Sequence, residues 1–120
     1  MAKFLINIHT GPDNPTKAAL GFLVALTALK EGHHVDLFLA GEGAVLIGKD
    51  ALETVEGKGT GKLGQHYQDL LDGGAHFYVS GMSAKSRGMT DADLAGKPAE
   101  FAMPDVLVRL AVAADVVLVY

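Results

Sequence analysis

The sequence predicts a three-layer α/β fold, in which a mostly parallel five-stranded sheet carries helices on both faces. Apolar, β-prone segments alternate with helix-like segments along the whole chain. Such alternation indicates parallel strands that are joined by right-handed crossovers. The length of 120 residues fits one domain, residues 1–120, with a single main core.

The strands are predicted from short apolar runs, which are typical of strands covered on both faces. Four runs are clear and a fifth, shorter run is included as an extra strand: 3–8 (KFLINI), 34–40 (HVDLFLA), 75–80 (AHFYVS), 115–120 (DVVLVY) and 99–102 (AEFA). No internal repeat or linker divides the chain.

The first helix is predicted over 15–31 from its terminal residues. Asn14 is a suitable N-cap, Pro15 fits the first helical position, and Gly32 can end the helix. Apolar residues occupy both sides of this helix. The sheet covers one side, and either a neighbouring subunit or a second helix of the same chain covers the other. We predict a homo-oligomer and leave this alternative open.

Three further helical segments follow. A helix over 63–72 comes after a glycine-rich loop, and Thr90 with Asp93 forms a capping-box pattern before a single turn. Pro104 opens the last helix, which leads directly into the terminal strand.

Composition and charge exclude several classes of function. The net charge of −4 lacks the basic field that nucleic acid requires. The start of the chain lacks the apolar segment of a secretory signal, and no apolar run is long enough to cross a bilayer. We therefore expect a cytoplasmic protein that binds neither nucleic acid nor membrane.

The sequence offers no recognisable metal or cofactor site. It contains no cysteine, and its five histidines show no metal-ligand spacing. We therefore predict neither a metal nor a cofactor.

The glycine-rich segment 56–64 (EGKGTGKLG) resembles a phosphate-binding loop only superficially. A Walker loop needs a glycine where Glu56 stands and a hydroxyl where Leu63 stands. The glycine spacing also matches a dinucleotide-binding pattern, but no predicted strand leads into it. We predict a mobile loop.

Polar residues and glycines follow three of the predicted strands and form the predicted ligand-binding rim. Ligands of parallel sheets bind beyond the carboxyl ends of the strands. Helix N-termini and an arginine at this edge favour a small anion. The alternative is that these are ordinary turn and cap residues, and the sequence leaves both open. The candidates are Asn7, His9, Thr10, Gly41, Ser80, Gly81, Met82, Ser83 and Arg87.

An enzymatic alternative uses Ser80, His9 and Arg87. His9 and Ser80 close the first and third strands, so their side chains meet if those strands pair. The sequence lacks the G-x-S-x-G elbow of serine hydrolases. We assign no catalytic residue and keep this alternative open.

The succession of these segments resembles the DsrE/DsrF-like proteins of intracellular sulfur transfer. The resemblance spans nearly the whole chain, and its most specific part is YVSGMSAKSRGM, which ends in Ser86, Arg87, Gly88 and Met89. It implies a small domain of flavodoxin-like arrangement that assembles into trimers or hexamers, some of them mixed.

The resemblance also implies where the family's sulfur chemistry would lie. Active members carry a persulfide on a cysteine eight residues before the glycine of that motif, and some have a second cysteine five residues before it. Counted back from Gly88, these positions are Ser80 and Ser83. A serine hydroxyl cannot hold a persulfide, so the activity does not carry over with the fold.

Three functional interpretations remain open. The first is a noncatalytic binding or scaffolding subunit that pairs with a sulfur-carrying paralogue or holds a small anion. The second is the enzyme that uses Ser80, His9 and Arg87. The third is an oligomer with a vestigial pocket, which Met82, Met103 or Tyr120 would fill.

Overall fold

The computed structural model describes all 120 residues. Its strands form a five-stranded sheet and a separate two-stranded hairpin. All pairings in the large sheet are parallel, in the order β6-β5-β2-β1-β7. The predicted α/β fold is confirmed, including the short strand at 99–102. The strands are β1 (Lys3–Ile8), β2 (His34–Leu39), β3 (Glu56–Gly57), β4 (Gly61–Lys62), β5 (His76–Ser80), β6 (Ala99–Ala102) and β7 (Val116–Val119).

The helices include all those predicted and three short ones that the sequence analysis missed. The missed elements are α2, α4 and the first 3-10 helix, each of seven residues or fewer and too short to show an apolar period. No helix has both the length and the apolarity to span a membrane. The helices are α1 (Pro15–Lys30), α2 (Lys49–Thr54), α3 (Leu63–Asp72), α4 (Gly81–Ser86) and α5 (Pro104–Ala113), with 3-10 helices at Gly41–Ile47 and Asp91–Leu94.

The strand order differs from the arrangement that the enzymatic alternative needs. Successive crossovers from β1 to β2 and from β2 to β5 step in the same direction, so β2 lies between β1 and β5. The premise that the first and third strands pair is therefore wrong. The order also differs from that of flavodoxin, because here the last strand returns beside the first.

The core is strongly asymmetric about the sheet. The main cluster of 23 buried residues lies on the side of α1 and α3, where Phe77 packs against Phe22 and Tyr67. The other side has a cluster of three buried residues, with α5 packed over it. No residue of α5 is buried.

The first helix is partly covered within the same chain. It packs against α3 and the β3–β4 hairpin, and α3 lies beside it on the same side of the sheet. Leu20, Leu23 and Val24 of α1 are only half-buried. The homo-oligomer stays a prediction.

The glycine-rich segment predicted as a mobile loop forms an ordered hairpin. Lys58 N–H donates to Thr16 Oγ1 at 3.0 Å, and Thr60 Oγ1 donates to the Thr16 carbonyl at 2.9 Å. These bonds tie the hairpin to the first turn of α1, a contact over 40 residues of sequence that no local pattern reveals.

Candidate functional site

Ser80 ends β5 and caps the short helix α4. Its Oγ accepts a hydrogen bond from the Ser83 N–H at 3.2 Å, the usual role of a serine N-cap. The residue is only 9% exposed. The Ser80 hydroxyl therefore stabilises the strand-to-helix turn.

Ser83 connects this turn to the end of the neighbouring strand. Its Oγ accepts from the Gly41 N–H at 2.9 Å, immediately after β2. Gly41 has a φ of +55°, in the left-handed region that glycine adopts without strain. Both serines of the rim thus act as acceptors for backbone N–H groups.

Arg87 is held at the far end of α4 by three hydrogen bonds. Its NH1 donates to the Ser83 carbonyl at 3.1 Å and to Ser86 Oγ at 3.0 Å. Its NH2 donates to Glu42 Oε1 at 2.6 Å. This hydrogen bond and the charge of Arg87 hold the pKa of Glu42 below its ordinary value, and the same bond raises the pKa of Arg87.

Glu42 was missed as a site residue by the sequence analysis. Its position between Gly41 and Gly43, directly after a strand, places it on the predicted rim. This position indicates that Glu42 belongs to the rim, but a single carboxylate in a sequence gives no indication of its partner. Only the fold brings it to Arg87, 45 residues later.

The side chains of the β1 candidates make no hydrogen bond to this cluster, although the His9 carbonyl accepts from the Gly43 N–H at 3.1 Å. His9 is exposed beyond β1, and Thr10 is half-buried. Asn7 is 8% exposed on the α5 side of the sheet, and its Oδ1 has no hydrogen-bond partner in the protein. Because β2 separates β1 from β5, their backbones are about 10 Å apart, which removes the basis for a Ser80–His9 pair.

The side chains that would fill a vestigial pocket do not do so. Met82 and Met103 are 60% and 50% exposed, and Tyr120 packs against the main core. Gly81 sits beside Met103, at ordinary contact distance for an added methyl group. The two methionines therefore border the rim without closing it.

A cavity of ≈ 300 Å³ lies next to Arg87, at the mouth formed by α2 and the end of α4. Lys49 lines it with Arg87, and Asp50 and Asp93 contribute two carboxylates. Asp93 is engaged, because its Oδ2 accepts from the Thr90 N–H at 2.8 Å. Ser80 and Ser83 do not line this cavity, and Gly81 of the rim lines a separate cavity of ≈ 320 Å³.

Comparison of the sequence with models of known protein families gives a match over nearly the whole chain. The model of the DsrE/DsrF-like family matches residues 2–120. The chain belongs to the DsrE/DsrF-like family. The resemblance inferred from the sequence is thus confirmed over nearly the full length of this DsrE/DsrF-like chain.

A curated relative and a solved structure are also similar to this DsrE/DsrF-like chain. The uncharacterized protein MJ0760 of Methanocaldococcus jannaschii is 36% identical over 91 residues, which are 76% of this chain. The match is 33% of the relative, so the chain spans about a third of its length. The crystal structure of the YchN protein from E. coli superposes with a TM-score of 0.80 at 17% identity, covering 100% of both chains, and shows the same fold.

Proposed function

We propose that this DsrE/DsrF-like protein is a noncatalytic, oligomeric binding subunit that holds a small anion at Arg87. It acts as a scaffold linked to sulfur transfer, and the partner that carries sulfur is a paralogue with its own cysteine. Covalent relay by these 120 residues is chemically barred, because they contain no thiol to form a persulfide.

The observation that carries the anion site is the fixed guanidinium of Arg87 beside an open cavity. Two bonds from NH1 set its orientation, and its side chain keeps an exposed fraction of 28%. Lys49 lines the same cavity with a side chain that is 86% exposed and pairs with Glu53 at 4.0 Å. A prearranged arginine with a second cation is a common way to recognise oxyanions.

The anion site is tested by substituting each of the two arginines of the chain. We expect Arg87→Gln to weaken thiosulfate binding at least tenfold, because the fixed guanidinium is lost. Arg109→Gln is the matched control, since Arg109 is also exposed and also paired with a carboxylate, Asp105, at 2.9 Å. Isothermal titration at constant ionic strength measures both affinities. Equal affinities in the two variants would refute the site.

The oligomer is supported by an exposed apolar surface on the thin side of the sheet. We call the valine surface the four residues Val108 and Val112 of α5 with Val117 and Val119 of β7, which are between 44% and 83% exposed. Exposed apolar patches are typical of protein interfaces. We propose that subunits meet here and that assembly covers α5.

Light scattering on Val112→Glu tests this interface. Val112 is the most exposed of the four, so the substitution leaves the fold intact while placing a charge in the contact. We expect a trimer or hexamer for the unchanged protein and a smaller species for the variant. Gln68→Glu adds the same charge on exposed α3 and should leave the mass unchanged. A monomeric unchanged protein would exclude the assembly.

A further inference from the structure

We infer that Glu42, which does not line the cavity itself, holds a donor of Arg87 that the anion site needs, and that the ligand is an oxyanion able to displace this carboxylate. The inference rests on the proposed function and adds the class of ligand and a built-in competitor. It starts from the 2.6 Å contact between Arg87 NH2 and Glu42 Oε1.

The donors of Arg87 define which oxyanion fits. NH1 donates to the Ser83 carbonyl and to Ser86 Oγ. Glu42 takes one hydrogen of NH2, while the second NH2 hydrogen and the Nε hydrogen have no partner in the protein. Once Glu42 leaves, the NH2–Nε edge can bind two oxygens of one ligand side by side. A carboxylate, sulfate or thiosulfate has that geometry, whereas chloride does not.

The backbone around Glu42 is closely packed. A methyl group on Gly43 would lie 2.4 Å from the Ile8 carbonyl oxygen, and one on Gly11 would lie 2.8 Å from Glu42 itself. The Gly41 N–H also donates to Ser83 Oγ. This packing places Glu42 within reach of Arg87.

The Glu42 side chain is well placed to give way to a ligand. It is 64% exposed, so its carboxylate swings into water without breaking any packing. Exposed ion pairs of this kind are weak. A bidentate oxyanion, which gains one more charge-assisted hydrogen bond than Glu42 makes, can therefore replace it.

The test compares two variants in which an arginine loses its carboxylate partner. Glu42→Gln frees Arg87, and Asp105→Asn frees Arg109 in the matched control. Amide chemical-shift titrations with thiosulfate, sulfate and acetate, at ionic strength held constant with chloride, give the dissociation constants. We expect Glu42→Gln to bind each oxyanion about threefold to fivefold more tightly than the unchanged protein. Asp105→Asn should not change the affinity.

The outcomes separate this inference from the proposed function. If Arg87→Gln abolishes binding but Glu42→Gln binds like the unchanged protein, the competitor role of Glu42 is wrong and the anion site stands. If Arg87→Gln binds as well as the unchanged protein, the anion site itself is wrong. The double variant Glu42→Gln with Arg87→Gln must lose the increase in oxyanion affinity. An increase that survives without Arg87 would contradict the inference.

Discussion

At the scale of single residues, Ser80, where the family resemblance places a cysteine, has a structural role as the N-cap of α4. Ser80 Oγ accepts the Ser83 N–H, and Ser83 Oγ in turn accepts the Gly41 N–H. A thiol accepts such bonds more weakly than a hydroxyl. The serines thus favour a stable turn at a site where active members need a reactive sulfur.

Removing the Ser80 hydroxyl should destabilise the protein measurably. Ser80→Ala leaves the Ser83 N–H without its partner in a mostly buried turn, so we expect the free energy of unfolding to fall by about 1 to 2 kcal/mol. Ser86→Ala on the same helix removes an exposed hydroxyl that bonds to the Ser83 carbonyl and to Arg87. Because water can replace both bonds, it should change the free energy of unfolding by less than about 0.5 kcal/mol. Urea denaturation measures both variants, and equal losses would rule out the capping role.

At the scale of elements, the sequence predicts the helices and strands that have a clear apolar pattern, and it does not predict short elements that depend on tertiary packing. The five strands of the large sheet carry apolar runs and α1 carries clear terminal residues, so the sequence predicts them, whereas it does not predict the β3–β4 hairpin. The 3-10 helix Gly41–Ile47 and α4 are too short for a pattern, yet Glu42 and Ser83 lie in them and Arg87 directly follows α4. The ion pair between Glu42 and Arg87 therefore could not be predicted from the sequence, and the ligand-binding rim stays a prediction.

The junction between β1 and the 3-10 helix depends on the absence of a side chain at Gly43. An added methyl group would lie 2.4 Å from the Ile8 carbonyl oxygen, so Gly43→Ala must displace the backbone. We expect a loss of about 2 to 3 kcal/mol in the free energy of unfolding. Gly81→Ala is the control, because its nearest neighbour is Met103 Sδ at 3.5 Å, and it should be nearly neutral. Chemical denaturation of both variants distinguishes a steric effect from a general glycine effect.

At the scale of the whole molecule, the two sides of the sheet differ in how completely they are covered. The main core closes over α1, α3 and the hairpin, whereas α5 alone spans the other side with no buried residue. From the sequence, α1 seemed the helix in need of a partner because both its sides are apolar. The strand order could not be read from the sequence, and it decides that α5 and the edge strand β7 are the exposed pair.

This asymmetry predicts that the thermal stability of the protein depends on its concentration. If assembly through the valine surface stabilises the folded chain, the midpoint of thermal unfolding rises with protomer concentration by mass action. We expect a rise of several degrees over a hundredfold range of concentration, on the order of that produced by about 1 to 3 kcal/mol in a domain of this size. Val112→Glu should abolish the dependence, and Gln68→Glu should retain it.

A midpoint that is independent of concentration in the unchanged protein would mean that the thin side of the sheet is stable without a partner. Calorimetric scans of the three proteins at matched concentrations separate these outcomes, because a general effect of added negative charge would change both variants alike.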